Sequence, residues 1–398
     1  MTALLGLSCV AVALSVTACG APAISLVEPS DVAAGGSFEI VGTGFSPRTT
    51  ARLESNGAAI QLAVSEPTAA SLTVRVPQAT PPGVFHVVVD VDGAVARLAD
   101  AVTIVAGDLR IRFLDIGQGD ATLVTGPDGQ SLLIDGGPRG NLDVISEAVR
   151  AVGGVDHVAV THTDADHLNG IVEFLAGSDG VAGNSDDLVP ETRWVGYDDS
   201  SCESQLCGDF KALRADFERP LVGETLDFGD ATVEVVGRDT DFGAGPVVGA
   251  TDANERSLAI VVRYAGRSIY IGGDLTGGGL GSADIEAVAG PVIGPVDVLH
   301  VNHHGSATST SAGFLAALQP VVAIISEGTD NNFCHPEQSV LTRLATAGPA
   351  IFSTGRGIVA ADDRCDATNW PTGAVTGIGT IDLVVDADGS LTVDGVVF

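Results

Sequence analysis

The stretch "VTHTDADHLNG", from Val160 to Gly170, places two histidines and two aspartates between His162 and His167. An apolar run, "VDHVAV", precedes it and predicts a strand. The cluster therefore belongs at a strand's carboxyl end, where open α/β sheets gather their sites. Carboxylates this close repel one another unless a cation stands among them, and imidazole nitrogens beside them complete a donor set for a metal. A capped helix start, with Thr163 or Asp166 accepting backbone N–H groups, would account for one side chain and leave the others unexplained.

Three further fragments set metal-binding side chains after apolar, strand-like runs. "IYIGGD" ends at Asp274, "VLHVNHHGS" carries His303 and His304, and "EGTDNNFCHPE" carries His335. Asn141 to Val152 has helical spacing, with Asn141 as N-cap and Gly153 just past the end. Strand, helix and strand in this order predict an α/β domain. The remaining histidines, His86, His157 and His300, lie inside strand-like runs and read as packed or hydrogen-bonded side chains.

Residues 21–106 read differently. Short alternating runs such as "SFEIVGTGF", "SLTVRVP" and "GVFHVVVDV" are punctuated by Gly, Pro and Ser at sandwich-like spacing, which predicts an all-β domain. The 398 residues leave room for two domains, and an apolar content of 45% places the chain among globular proteins. Its formal charge of −32 repels polyanions at long range and disfavours high-affinity binding of long nucleic acids.

The first residues, "MTALLGLSCVAVALSVTACGAPA", read as an export signal, and no later stretch is long and apolar enough to cross a bilayer. Beyond that signal, Cys202, Cys207, Cys334 and Cys365 predict two disulfides of an oxidising compartment, Cys202–Cys207 across a short loop and Cys334–Cys365. The alternative makes Cys334 a metal ligand beside His335. "GSDGVAGNSDD" offers Asp179, Asn184, Asp186 and Asp187 as calcium donors, but it lacks the EF-hand spacing, and a turn is the default reading.

"HTDADH" resembles the HxDxDH variant of the metallo-β-lactamase-fold signature, whose better-known form is HxHxDH. "FLDIGQGDATLV", "LLIDGG", "THTDADHLNG", "NERSLAIVVRY", "IYIGGD", "NHHGS" and "CHPE" follow in order from about Leu109 to the C-terminus. Together they resemble the hydrolase domain of ComEC-type competence proteins. The resemblance implies an αββα sandwich over residues 108–398, with two divalent metal ions at one edge. By position, His162 and Asp164 would hold one ion, Asp166 and His167 the second, and Asp274 would bridge. His303 or His304 would complete the second site. Asp166 and Asp274 would also orient the nucleophilic water. His335 would contact substrate or protonate a leaving group, the competing view being a surface side chain. Asp120 and Asp135 would support the ligands by hydrogen bonding.

Many enzymes of this fold carry another histidine ligand between the signature and the bridging aspartate, whereas none occurs here from Leu168 to Leu299. The first ion is therefore expected to be weakly held, to lean on water, or to be absent. Asp164 in a histidine's place adds oxygen to the donor set and moves preference from zinc alone towards manganese or magnesium.

"GGSFEIVGTGFSP" and "SLTVRVPQATPPGVFHVVV" resemble an IPT/TIG domain, an immunoglobulin-like sandwich, over residues 21–106. Residues 1–20 resemble a lipoprotein signal, with a lipid on Cys19 as the expected tie to a membrane; the alternative is ordinary cleavage after Ala21-Pro22-Ala23 and a secreted or periplasmic protein. The expectation is an exported, metal-dependent hydrolase acting on a phosphodiester. Two alternatives remain: lactone, thioester or β-lactam hydrolysis by the same water, and a surface binding protein with a degenerate site.

Overall fold

A computed structural model describes residues 21–398 except 56, 66, 78–79, 198–203, 214–216 and 248. The expected signal with Cys19, and Cys202 of the expected Cys202–Cys207 pair, lie outside the described residues. The chain divides into two compact units, Met1–Val105 and Ala106–Phe398.

Among its described residues the first unit is all β. Its strands are β1 (Ala23–Glu28), β2 (Asp31–Ala33), β3 (Ser37–Thr43), β4 (Thr50–Ser55), β5 (Ala58–Ser65), β6 (Ser71–Arg75), β7 (Gly83–Val91) and β8 (Ala94–Val105). They pair in the order β1-β3-β6-β5-β4-β7-β8-β2. Alternation decides which face is buried: Phe38 and Ile40 of β3 point inward while Ser37 and Glu39 are exposed. Phe38, Leu53, Leu72, Val87 and Ile104, from both halves of this order, share one core.

In the second unit the elements are β9 (Leu109–Phe113), β10 (Thr122–Thr125), β11 (Ser131–Ile134), α1 (Leu142–Val152), β12 (His157–Val160), α2 (Ala165–Leu175), β13 (Thr192–Val195), α3 (Gln205–Leu213), β14 (Thr225–Phe228) and β15 (Ala231–Gly237). They continue with β16 (Ala259–Tyr264), β17 (Arg267–Ile271), α4 (Glu286–Ile293), β18 (Val298–His300), α5 (Ala312–Leu318), β19 (Val322–Ile325), α6 (Gln338–Ala347), β20 (Ala350–Ser353), β21 (Val375–Thr376), β22 (Ile381–Val385), β23 (Leu391–Val393) and β24 (Val396–Val397). Two mixed sheets result, ordered β13-β12-β11-β10-β9-β22-β23-β24 and β14-β15-β16-β17-β18-β19-β20-β21.

Strands β11, β12 and β19 are buried on both faces, which is why they read as unbroken apolar runs. Ile111, Phe113, Trp194, Phe228 and Ile260 fill the space between the sheets. Ile145, Leu168, Ile171 and Phe210 pack α1, α2 and α3 on the outer face of the first sheet. Ile285, Phe314 and Leu341 do the same for α4, α5 and α6 on the second. This is the αββα layering that the motif order implied. Asn141 stands at the N-cap of α1, but its amide donates to Ile116 O and Pro138 O and caps nothing; Gly153 follows the helix at φ 93°.

Candidate metal centre

The loops that leave β11, β12, β17 and β18 converge. Asp135 follows β11, His162 follows β12, Asp274 follows β17, and His303 and His304 follow β18. Asp120 joins them from the loop between β9 and β10. Asp164 occupies the N-cap position of α2, and Asp166 and His167 lie in its first turn. No side chain caps that helix, so its acidic residues are not used as caps. Close packing sets the depth of the site: a Cβ on Gly170 of α2 would collide with Gly136 O. The Asp135-Gly136-Gly137 turn therefore lies directly against α2 and brings Asp135 to His167.

Asp274 is central. Its Oδ1 lies 3.3 Å from His167 Nε2 and 3.6 Å from His304 Nε2. Its Oδ2 lies 3.7 Å from His162 Nε2 and 3.5 Å from His303 Nε2. Asp166 Oδ2 is 3.5 Å from His304 Nε2, and Asp164 Oδ2 is 3.7 Å from His162 Nε2. Donor atoms of His162, His167 and Asp274 all fall within 4.8 Å of one another, as do those of Asp166, His167 and His304. All seven expected ligand residues thus come together. His303 and His304, interchangeable in the sequence, face opposite oxygens of Asp274. His303 stands towards the oxygen that faces His162, the side on which the sequence lacks a third histidine.

Hydrogen bonds fix the rings. His167 Nδ1 faces Asp135 Oδ2 at 2.9 Å, and His304 Nδ1 faces Ser326 O at 3.0 Å. Both partners accept, so the proton sits on Nδ1, and in the neutral ring Nε2 turns its lone pair inward. Thr161 Oγ1 donates to Asp135 Oδ2 at 2.6 Å and can accept from His162 Nδ1 at 3.1 Å, which leaves His162 Nε2 with a lone pair as well. His167 Nε2 and His304 Nε2 are only 3.3 Å apart. His162 Nε2, Asp274 Oδ1 and Asp120 Oδ1 are buried and have no hydrogen-bond partner among the described residues. Buried acceptors left unpartnered in one volume fit a cation.

Electrostatics agree. Burial opposes charge on Asp274, yet His303, His167 and His304 hold its pKa well below the ordinary carboxylate value. Burial likewise disfavours imidazolium at His167 and His304, but the Asp274 carboxylate, aided by Asp135 and Asp120, raises both well above the usual histidine value. The carboxylates therefore draw positive charge inward, and a divalent ion would release the protons they hold. Burial and the neighbouring His167 depress His162 to about 3, so its ring is neutral and its lone pair available. Burial and Asp274 lift Asp164 to about 6.

His335 is 8% exposed, and its ring centroid lies 5.7 Å from that of His303. It belongs to the centre, and the surface alternative falls. Burial, with His304 and His303 adding positive charge, depresses its pKa to about 3. Cys334 is bonded to Cys365, which removes it as a metal ligand. In the acidic loop, Asp186 Oδ2 accepts from Ser178 N and Oγ, and Asp179 Oδ1 accepts from Val181 N; these oxygens serve the loop's own turns. His86, His157 and His300 engage Asp100, Gln130 and Ser326 respectively, as side chains that pack and hydrogen-bond.

Several supporting residues had no assigned part in the sequence. Asp274 N donates to Ser257 Oγ at 3.2 Å, and Asn254 Nδ2 lies 3.4 Å from His303 Nε2; Ser257 and Asn254 both sit in "NERSLAIVVRY", one of the fragments that carried the resemblance. His303 and His304 adopt consecutive left-handed conformations, φ 52° and 53°, costly for side chains of this kind. Glu286, fully buried, holds that loop: it accepts from Asn302 Nδ2, Thr310 N and Ser311 N at 2.9, 2.5 and 2.6 Å. Nothing in "ADIEAVAG" marks it out.

Residues 114–326, more than half of the chain, match the family described as "Metallo-beta-lactamase superfamily". The chain belongs to the metallo-beta-lactamase superfamily. Recombination protein 2 of Haemophilus influenzae is 28% identical over 251 residues, 62% of this chain and 27% of that protein. ComE operon protein 3 of Bacillus subtilis is 28% identical over 265 residues, 61% of this chain and 31% of that protein. Competence protein ComA of Neisseria gonorrhoeae is 34% identical over 105 residues, 26% of this chain and 14% of that protein. The chain spans less than a third of the length of each of these relatives. The kinship with competence proteins that the motif order implied is present in these matches. The second unit thus carries a domain of this superfamily, with His/Asp clusters that could hold metal ions. Among the described residues no helix is long and apolar enough to cross a membrane.

Proposed function

We propose that this superfamily member is an exported phosphodiesterase working with two divalent ions, manganese or zinc, with magnesium as the third candidate. The observation that carries the reading is the convergence of unpartnered, buried donors at Asp274 and His162. On this reading His162, Asp164 and His303 lie on one side of the centre, Asp166, His167 and His304 on the other, and Asp274 serves both. Ions bound here would supply a water of lowered pKa and neutralise charge that develops on the scissile group's oxygens.

The chain does the rest. Asp135, Thr161 and the Ser326 carbonyl hold the imidazoles in the tautomer that presents Nε2. Asp166 and Asp274 accept from the attacking water and aim it. The neutral ring of His335 contacts the substrate. A formal charge of −32 favours a small phosphodiester or a short strand over long nucleic acid. The Cys334–Cys365 disulfide supports export, since such bonds persist in oxidising compartments. We assign the lipid anchor to Cys19 and an IPT/TIG-like spacer or partner-binding role to the first unit.

The test is a metal-supplemented hydrolysis panel on the full chain: bis(p-nitrophenyl) phosphate, nitrocefin and a set of lactones and thioesters. Turnover of the phosphodiester, lost with a chelator and restored by manganese or zinc, is expected. Turnover confined to nitrocefin, lactones or thioesters would transfer the same water to carbonyl chemistry. No turnover of any of them would favour a binding protein.

A further inference from the structure

Every aromatic side chain of the described residues is buried or half-buried except one, Phe333, which is 61% exposed. Single exposed apolar side chains are ordinary, and Leu280 is more exposed still. What distinguishes Phe333 is its place and how it is held. Its ring lies nearly parallel to that of His335, 21° between planes and 6.0 Å between centroids, and His335 in turn lies against His303. Another aromatic near the centre, Tyr197, whose hydroxyl meets Thr163 Oγ1 at 3.0 Å, is buried and has the Arg256 guanidinium over its ring at 4.1 Å.

The Phe333 loop is fastened from within. Asn331 Oδ1 accepts from Phe333 N and His335 N at 3.1 and 3.0 Å, while Asn331 Nδ2 donates to Gly328 O and His335 O at 2.7 and 2.6 Å. The next residue, Cys334, is tied to Cys365. A side chain on so constrained a loop loses little freedom when a ligand covers it.

We infer that Phe333 is a stacking platform for the nucleobase next to the scissile phosphate, making the substrate of the proposed centre a nucleotide ester or a short single strand. This rests on the phosphodiesterase reading for the identity of the bond that is cleaved. The chemistry suits an acidic protein. A formal net charge of −32 disfavours long-range attraction of phosphates. A stack recognises an uncharged flat face and tolerates any base. A base laid on Phe333 would extend the Phe333–His335 pair, whose His335 ring lies 5.7 Å from that of His303.

The experiment uses the full, manganese-loaded chain and two ligands that differ only in the base: thymidine 5′-monophosphate and 2-deoxyribose 5-phosphate. Calorimetry should show the nucleotide binding about tenfold tighter, a typical base–aromatic stack. In Phe333→Ala that ratio should fall to near one with sugar-phosphate affinity unchanged; in Phe333→Tyr it should persist. Circular dichroism confirms that each variant is folded. Hydrolysis of oligothymidylate against the same oligomer with abasic sites is measured alongside. A ratio near one in the wild type, a ratio unaltered in Phe333→Ala, or no binding of either ligand overturns the inference. Base-independent cleavage of phosphodiesters would do so while leaving the hydrolase reading intact. A Phe333-dependent ratio without any hydrolysis would sustain the stack and remove the hydrolase.

Discussion

The two units of the chain bury opposite kinds of side chain. In the first, the core runs from Val27 to Ile104 in apolar residues, and among the described residues only Thr49 and Thr80 are buried polar groups. In the second, an equally apolar sandwich carries Asp120, Asp135, His162, His167, Asp274, His304 and His335, all buried and gathered at the ends of its strands. Burying ionisable groups costs several kcal/mol each unless they are paired or bind a cation. Among the described residues the first unit does without that cost, and the second carries much of it in one cluster. The first unit's core needs no account beyond stability, whereas the polar cluster of the second is what the proposed metal centre would explain.

This contrast can be broken by experiment. Asp274→Asn removes the charge that faces four histidines and should lower hydrolysis by at least the ~100- to 1,000-fold lost with one preorganised electrostatic group. Unchanged turnover would take the cluster out of the chemistry. Leu53→Ala, in the first unit's core, should instead cost about 2–5 kcal/mol of that unit's stability, read by denaturation, with metal content untouched. A fall in metal content there would mean that the units are not chemically separate.

Asp135→Asn keeps the shape but weakens the hold on His167 Nδ1. Metal affinity should drop roughly 10- to 100-fold, measured by chelator competition. The smallest effect concerns Glu327, a buried acid of the second unit without a counterpart in the first. Burial lifts its pKa to about 7, so the folded state keeps a proton that the unfolded state releases near 4.5. The folded state then binds more protons between those values, and stability falls as pH rises through them. From pH 6 to 7 the loss is about 1 kcal/mol at most, and Glu327→Gln should flatten that slope.

What was legible in the sequence follows the same division. A metal centre needs several donors in one loop, so "HTDADH" declared itself, and Asp274, His303, His304 and His335 each followed an apolar run that became β17, β18 or β19. The layers were legible because buried parallel strands are unbroken apolar runs between helical repeats. The split between His303 and His304 was not, because it depends on two consecutive left-handed residues and on Glu286, which sits sixteen positions before Asn302 and meets that loop only in the folded chain. Asn141 shows the limit for local rules: its position is that of a cap, but its amide is spent on Ile116 O and Pro138 O. Phe333 was hidden for the same reason, since exposure is a property of the finished surface.

The most direct test is the metal content of the purified full chain after loading with manganese or zinc and exhaustive dialysis, with Asp274→Asn in parallel. The account predicts about two ions retained per wild-type chain and a clear loss in the variant. Wild-type protein that keeps no more metal than Asp274→Asn would contradict it.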